Sequence, residues 1–232
     1  MIPRGPNRSV RGEWNASPTL RVDSDEMKRP RGTSALPPVL LAAALATLAA
    51  VPARGQADPA WLRMWREAQD HRPAELGSAG RIAPAGEAGT PLVVDGRVVQ
   101  PDGTRPAAGV IVFAYQTDRD GIYFSDSRPG SPWRLQGWVR TDADGRFTFR
   151  TIRPGHYPNR HVPAHIHFTV VSPRYGRQWA DSLRFADDPL LSEQEKAASA
   201  ADGRFGSIRP VRTEDGVAHV RYTVRLKPDA DF

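Results

Sequence analysis

From residue 91 to residue 226 the chain keeps returning to short β-rich runs closed by turn formers, and this punctuation restricts its fold more than any other feature. Leu92-Val93-Val94-Asp95-Gly96-Arg97-Val98-Val99 leads into a Pro101-Asp102-Gly103 turn. Residues 110–115 read as a buried strand, and residues 137–141 precede Asp142-Ala143-Asp144-Gly145, which reads as a hairpin turn. Residues 146–152 then alternate apolar and polar in the period of a strand. A strand beginning at His165 runs on through Val171, and residues 217–226 close the domain. With 20 Gly, 22 Pro and little helical periodicity, the expected fold is mainly β: an antiparallel β-sandwich, or a barrel, with short helices.

Two helices are predicted. Over residues 58–70, Trp61, Leu62, Met64 and Trp65 make an apolar side that packs on the domain. Over residues 192–201, Ser192 is the cap and Glu195 its reciprocal partner. Residues 73–90, rich in Gly, Ala and Pro, read as a linker arm, so the folded domain is expected to begin near Pro91.

Ahead of these lies a leader, residues 1–57. Residues 1–26 are polar and without periodicity, and read as an artefact of start-site choice. Translation from Met27 opens on Lys28, Arg29 and Arg31, followed by an apolar run over 39–51 and small residues up to Ala57. This is the pattern of a secretory signal peptide, with cleavage expected after Ala57 and Ala53 as the alternative. The expected location is secreted or periplasmic, without stable membrane insertion after cleavage. A single N-terminal membrane anchor is the competing reading.

The formal charge of +6 resembles a nucleic-acid footprint until it is divided. Removing the eight basic and four acidic residues of 1–57 from totals of 32 and 26 leaves 24 and 22, interspersed along the chain. Without a basic stripe interleaved with aromatics, no nucleic-acid partner is expected. The absence of cysteine excludes disulfides, thiolate metal sites and a lipid-anchored N-terminal Cys, so any metal must be held by His, Tyr, Asp or Glu.

Residues 153–168 concentrate the chemistry: R-P-G-H-Y-P-N-R-H-V-P-A-H-I-H-F. In a strand, His165 and His167 share one face and Ile166 takes the other, so the two imidazoles can meet one metal ion. Tyr157, just after a Pro-Gly turn, can fold back toward the same point. A His-x-His pair alone is more often surface or hydrogen-bonded histidine than a ligand pair, and copper or zinc on these two residues is a further reading. His156 and His161 read as solvent-facing or supporting residues and His219 as structural. Trp133, Trp138 and Trp179 read as core or pocket wall.

Several blocks taken together narrow these alternatives. Gly96-Arg97-Val98, Gly121-Ile122-Tyr123, Thr141-Asp142-Ala143-Asp144-Gly145, Thr151-Ile152-Arg153-Pro154-Gly155-His156-Tyr157-Pro158 and Pro163-Ala164-His165-Ile166-His167-Phe168 follow in that order. Over roughly residues 91–190 the chain resembles the intradiol ring-cleavage dioxygenases, the family of protocatechuate, catechol and hydroxyquinol dioxygenases. The resemblance implies a β-sandwich and a non-haem Fe(III) site with two tyrosinates and two histidines. Tyr123 matches the tyrosine that stays on iron, Tyr157 the axial tyrosine that leaves when substrate binds, and His165 and His167 the histidine pair. It further implies a catecholic aromatic and O2 as substrates, Tyr157 as acceptor of a substrate proton, a muconate-type diacid as product and no organic cofactor. The ligand types suit the metal, because two phenolates are hard anions that favour a trivalent iron, and a metal-bound tyrosine ionises well below its free pKa of about 10.

Two departures from the family pattern stand out. The family's usual arginine before Pro-Ala-His-Ile-His is Val162 here, with Arg160 as a candidate to reach the same space. The usual Thr-Gln pair after the histidines is Asp181 and Ser182. The competing function is a catalytically silent secreted β-sandwich that binds carbohydrate, a catechol chelate or another protein. A homo-oligomer is compatible with either function.

Overall fold

The structure, a computed structural model, describes residues 58–123 and 133–232. The leader, with its proposed signal and cleavage site, lies outside the described residues. Among the described residues, no helix is long and apolar enough to cross a membrane.

Two five-stranded sheets face each other. One has the order β1 (Ala79–Arg81), β5 (Arg146–Ile152), β2 (Pro91–Val99), β10 (Val217–Arg225), β9 (Val211–Glu214). The other runs β4 (Leu135–Arg140), β3 (Ile111–Gln116), β6 (His165–Ser172), β7 (Gly176–Phe185), β8 (Ile208–Arg209). Strand alternation sends Leu92, Val94, Phe147, Phe149, Val220 and Tyr222 of the first sheet inward to meet Val112, Ala114, Val139, Ile166, Phe168 and Leu183 of the second. The expected mainly β sandwich is therefore the fold.

The sheets are mixed rather than antiparallel throughout. β1 with β5, β2 with β10 and β7 with β8 pair in parallel. The Asp142–Gly145 turn is not a hairpin either, because β4 and β5 belong to different sheets. Asp142 caps the turn by accepting from the Asp144 and Arg146 amides at 2.9 and 2.8 Å. Gly145, at φ +71, lies so close to Val98 that a side chain there would strike its carbonyl. The turn chemistry is that of a hairpin, but core burial on both sides splits the two strands between layers.

Residues 73–90 are more than an arm. β1 joins the first sheet, and Ile82 and Ala83 are buried in the core. Gly80 makes this close approach feasible, since a Cβ there would lie 2.7 Å from Val139 Cγ1.

Helix α1 (Pro59–Asp70) is capped by Asp58, which accepts from the Ala60 amide at 2.8 Å, with proline in the first turn. Trp61, Trp65 and Ala68 recur at helical spacing and lie on the outer face of the second sheet. Trp65 Nε1 donates to Thr169 Oγ1 at 3.0 Å, and Trp61 Nε1 donates to the Tyr115 hydroxyl at 3.0 Å. β3 is thus covered on both faces, which explains its nearly unbroken apolar sequence. Helix α2 (Glu193–Ala201) begins with the expected Ser192/Glu195 capping box, a feature worth about 1 kcal/mol.

Candidate metal centre

The two histidines come from β6, on the face turned toward α1. His167 lies directly across from Tyr115 of β3, whose ring stacks on it at 4.6 Å and 19°. The β6–β7 register shifts between Ile166 and Phe168, so the ladder slips beside His167. His165 and His167 nevertheless keep one side, with Ile166 in the core.

The two tyrosines come from separate loops whose backbones are pressed together at glycines. Gly121, at φ +80, lies against His156, and Gly155 lies against the Arg119–Gly121 backbone, where a Cβ would lie 2.8 Å from the Gly121 amide nitrogen. The Gly155 amide donates to the Asp118 carbonyl at 2.7 Å, and the Asp118 carboxylate accepts from the Asp120 and Ile122 amides at 2.9 Å each. Arg134 closes the far end of the Tyr123 segment. Its amide donates to the Tyr123 carbonyl at 2.9 Å, and its guanidinium makes ion pairs with Glu87 and Asp118 at 2.8 and 3.0 Å.

This backbone arrangement brings all four expected donors into one closed ring. Tyr123 Oη is 2.7 Å from Tyr157 Oη, which is 3.1 Å from His165 Nε2. His165 Nε2 is 3.0 Å from His167 Nε2, which is 2.9 Å from Tyr123 Oη. A ring with sides of this length encloses a point about 2 Å from every donor, a metal–nitrogen or metal–oxygen bond length.

The state of the imidazoles follows from their other nitrogens. His165 Nδ1 is 2.7 Å from the Pro163 carbonyl, which can only accept, so Nδ1 carries the hydrogen and Nε2 presents its lone pair to the ring centre. His167 Nδ1 is 3.0 Å from Ser182 Oγ, which leaves its Nε2 to the centre as well. Ser182 can donate or accept, so His167 Nε2 either donates a hydrogen to His165 Nε2 at 3.0 Å or presents a second lone pair to the centre, the form in which both imidazoles would hold a cation. The donor set therefore fits a metal. Among the described residues, no carboxylate completes a three-residue His/Cys/Asp/Glu cluster with the two histidines.

Burial disfavours charge on all four donors. It pushes the Tyr123 phenol far above its usual range, with the neighbouring Tyr157 adding to the shift. Burial also raises Tyr157, but the hydrogen bond from Tyr123 and the Arg160 charge pull the other way. Burial lowers His165, and lowers His167 further, with His165 contributing. A site that disfavours isolated charge on the phenols turns them into strong anionic ligands once a cation neutralises them.

Arg160 is exposed at the end of the Tyr157 turn, its amide donating to the Tyr157 carbonyl at 3.3 Å. Val162 is half-buried between that turn and Pro163. His156 is bonded to the carboxylate of Asp188 at 2.9 Å. That carboxylate also accepts from the Ala164 and Leu190 amides at 2.8 and 2.9 Å, tying the Tyr157 loop and the start of β6 to the β7–α2 connection.

Sequence reasoning missed Tyr115, Trp61 and Asp188 as supports of this centre. It noticed Ser182 only as a departure from a pattern. The signal for the glycine contact was visible in the Asp-Gly and Pro-Gly dipeptides, each next to a tyrosine-bearing segment.

A β-sandwich that brings two tyrosines and two histidines from such loops to one point defines a class. A family model described as Dioxygenase matches residues 68–228, and the chain belongs to the intradiol ring-cleavage dioxygenase family. It is 35% identical over 171 residues to catechol 1,2-dioxygenase 1 of Acinetobacter lwoffii, covering 65% of this chain and 52% of that protein. It is 33% identical over 144 residues to the protocatechuate 3,4-dioxygenase beta chain of Burkholderia cepacia, covering 56% and 61%. The matched region thus spans between 52% and 61% of these curated relatives' length. Among solved structures it is similar to the dioxygenase domain of a dioxygenase carbohydrate-binding protein fusion from Streptomyces sp. SirexAA-E. That likeness has a TM-score of 0.50 and 26% identity, covering 68% of this chain and 92% of the other.

Proposed function

We propose that this protein is an exported dioxygenase that holds ferric iron between Tyr123, Tyr157, His165 and His167 and opens a catechol-type ring with O2 to a muconate-type diacid. The single observation that carries the reading is the closed ring of four donors with sides of 2.7 to 3.1 Å. Ferric iron held there would draw electron density from a chelated catecholate and make its ring susceptible to O2.

The remaining chemistry belongs to the chain's own residues. Tyr157 is on a loop rather than a strand, which suits a residue that moves, and as a phenolate its oxygen would take a catechol hydroxyl proton when substrate enters. Arg160 favours that phenolate electrostatically and offers a cation beside the incoming ring. Tyr123 is held from both sides by the Asp118 and Arg134 contacts, which suits a donor that stays in place. Ser182 and the Pro163 carbonyl keep the imidazole nitrogens aimed inward. This use of Ser182 supports an active enzyme over a silent binding module.

Export is supported by the cationic and apolar pattern of residues 27–57, and suits aromatic fragments met outside the cytoplasm. The reading is tested on protein purified without the leader, by iron analysis and visible absorption. A broad tyrosinate-to-iron band that shifts when a catechol is added, with oxygen uptake and diacid formation, is the expected result. A protein that stays colourless after iron loading would overturn it.

A further inference from the structure

The outer face of the first sheet carries charge that the fold does not use. Along β2, β5 and β10 the inward residues are apolar, and the residues between them point outward. The register places Arg81 opposite Arg150, Arg150 opposite Val93, Val93 opposite His219 and His219 opposite Arg212, in one row across all five strands. The next row sets Asp95 between Thr148 and Arg221, and the one after sets Arg97 between Arg146 and Thr223. Arginines that look interspersed along the chain are therefore gathered on one surface.

Arg81, Arg146, Arg150, Arg212 and Arg221 are exposed, and Arg97 is half-buried with its Nε donating to the Asp144 carbonyl at 3.2 Å. None of the six takes part in an ion pair among the described residues. Asp95 is the one carboxylate within these three rows, and it accepts from the Thr148 hydroxyl at 3.2 Å. Arg81 with Arg150, and Arg97 with Arg146, are like charges directly opposite on a sheet, which destabilises the pairing unless counter-charge lies over them.

The face also says what kind of counter-charge fits. Outward residues lie about 5 Å apart across strands and about 7 Å apart along them, so the register sets the arginines in neighbouring rows of one sheet face. Each guanidinium is a planar fork matched to a carboxylate. His219 is the one ring in these rows, with no Trp, Tyr or Phe beside it to build a base-stacking platform, and no large apolar side chain is exposed there to anchor in a bilayer. An extended chain of carboxylated sugars can lie along these rows and meet successive guanidinium groups with successive carboxylates.

We propose that this face binds a polyuronate, a polysaccharide with a carboxylate on each sugar, lying across the strands over Arg81, Arg150, Arg212 and Arg221. The face belongs to the sheet opposite His165 and His167, so the proposal stands or falls independently of ring cleavage.

The test compares the full chain with two triple variants in binding to polygalacturonate, followed by calorimetry and by retention on the immobilised polymer. The first variant, Arg81→Gln/Arg150→Gln/Arg221→Gln, alters the face. The second, Arg63→Gln/Arg66→Gln/Arg72→Gln, removes the same charge from exposed positions in and just after α1. The parent and the α1 variant are expected to bind alike, with affinity falling as salt rises, and the face variant to bind about tenfold more weakly or worse. The face variant should unfold at the parent's temperature or above it, since like-charge pairs are relieved. Equal losses in both variants would reduce the effect to net charge and overturn the proposal. So would undiminished binding to the fully methyl-esterified polymer, or tighter binding to duplex DNA or phosphatidylserine vesicles at matched anionic charge.

Discussion

Gly121 lies against the backbone of His156 so closely that any side-chain carbon there would collide with the His156 carbonyl. This one contact sets the distance between the loop that carries Tyr123 and the loop that carries Tyr157, and so allows their hydroxyls to stand 2.7 Å apart.

Gly121→Ala is therefore expected to act on the site and on stability together. The left-handed backbone at φ +80 disfavours a side chain, and the neighbouring carbonyl must move as well. A loss of about 2 kcal/mol or more in urea unfolding, with reduced iron content, is the expected outcome. A variant with parental stability and full iron loading would show that the loops can separate without consequence.

Replacing donors should separate binding from turnover. Tyr157→Phe removes the proton acceptor but leaves three donors, so iron is expected to remain while turnover falls about 100-fold or more. Tyr123→Phe and His167→Ala remove donors held deep in the ring and should lose iron itself. Metal analysis alongside oxygen uptake distinguishes the two outcomes.

Ser182→Ala leaves His167 Nδ1 without its partner at 3.0 Å. Supports of this kind are worth about 10- to 100-fold in metal affinity. Iron retention against a chelator should fall by that factor while the far-ultraviolet circular dichroism is unchanged. Ser182→Thr, which keeps the hydroxyl, should restore retention.

Asp188 gives the fold an acid limb. Burial by itself would raise its pKa, but the Leu190 amide, His156 and the Ala164 amide together hold it below the usual carboxylate value of about 4. A carboxylate lowered in the folded state contributes stability that is present above the unfolded pKa and lost as pH falls through the folded one. Asp188→Asn should cost about 1–3 kcal/mol at pH 7, because one amide oxygen cannot serve all three donors. The same variant should lose less stability than the parent on acidification. Urea unfolding at pH 7 and at a pH below the carboxylate range measures both effects.

Much of the fold and the candidate site could be read from local pattern. Residues 146–152 alternate because one face of β5 is core and the other solvent. The Ser192/Glu195 capping box needs only four residues in sequence. His165 and His167 share a side because strands repeat every two residues. Tyr157 is marked by the Pro-Gly turn before it and Tyr123 only by the resemblance of its flanking block, since loops carry no periodicity.

What the chain alone determined, then, is what neighbours in sequence decide: where strands and turns fall, which side chains point together, and which donor types exist without cysteine. The tertiary structure alone decided the partners. Asp142–Gly145 has hairpin chemistry but joins two sheets, because burial of Val98 and Phe147 in one layer and Val139 in the other outweighs local pairing. β2 and β10 pair in parallel across most of the domain, a contact no local signal encodes. Trp61 reaches Tyr115, and Tyr115 reaches His167, only once α1 lies on the second sheet. The arginines of β1, β2, β5, β9 and β10 become one surface only when the register sets them side by side. Local propensity acts over a few residues, whereas a shared core is satisfied only by the whole chain at once, and that is where these contacts originate.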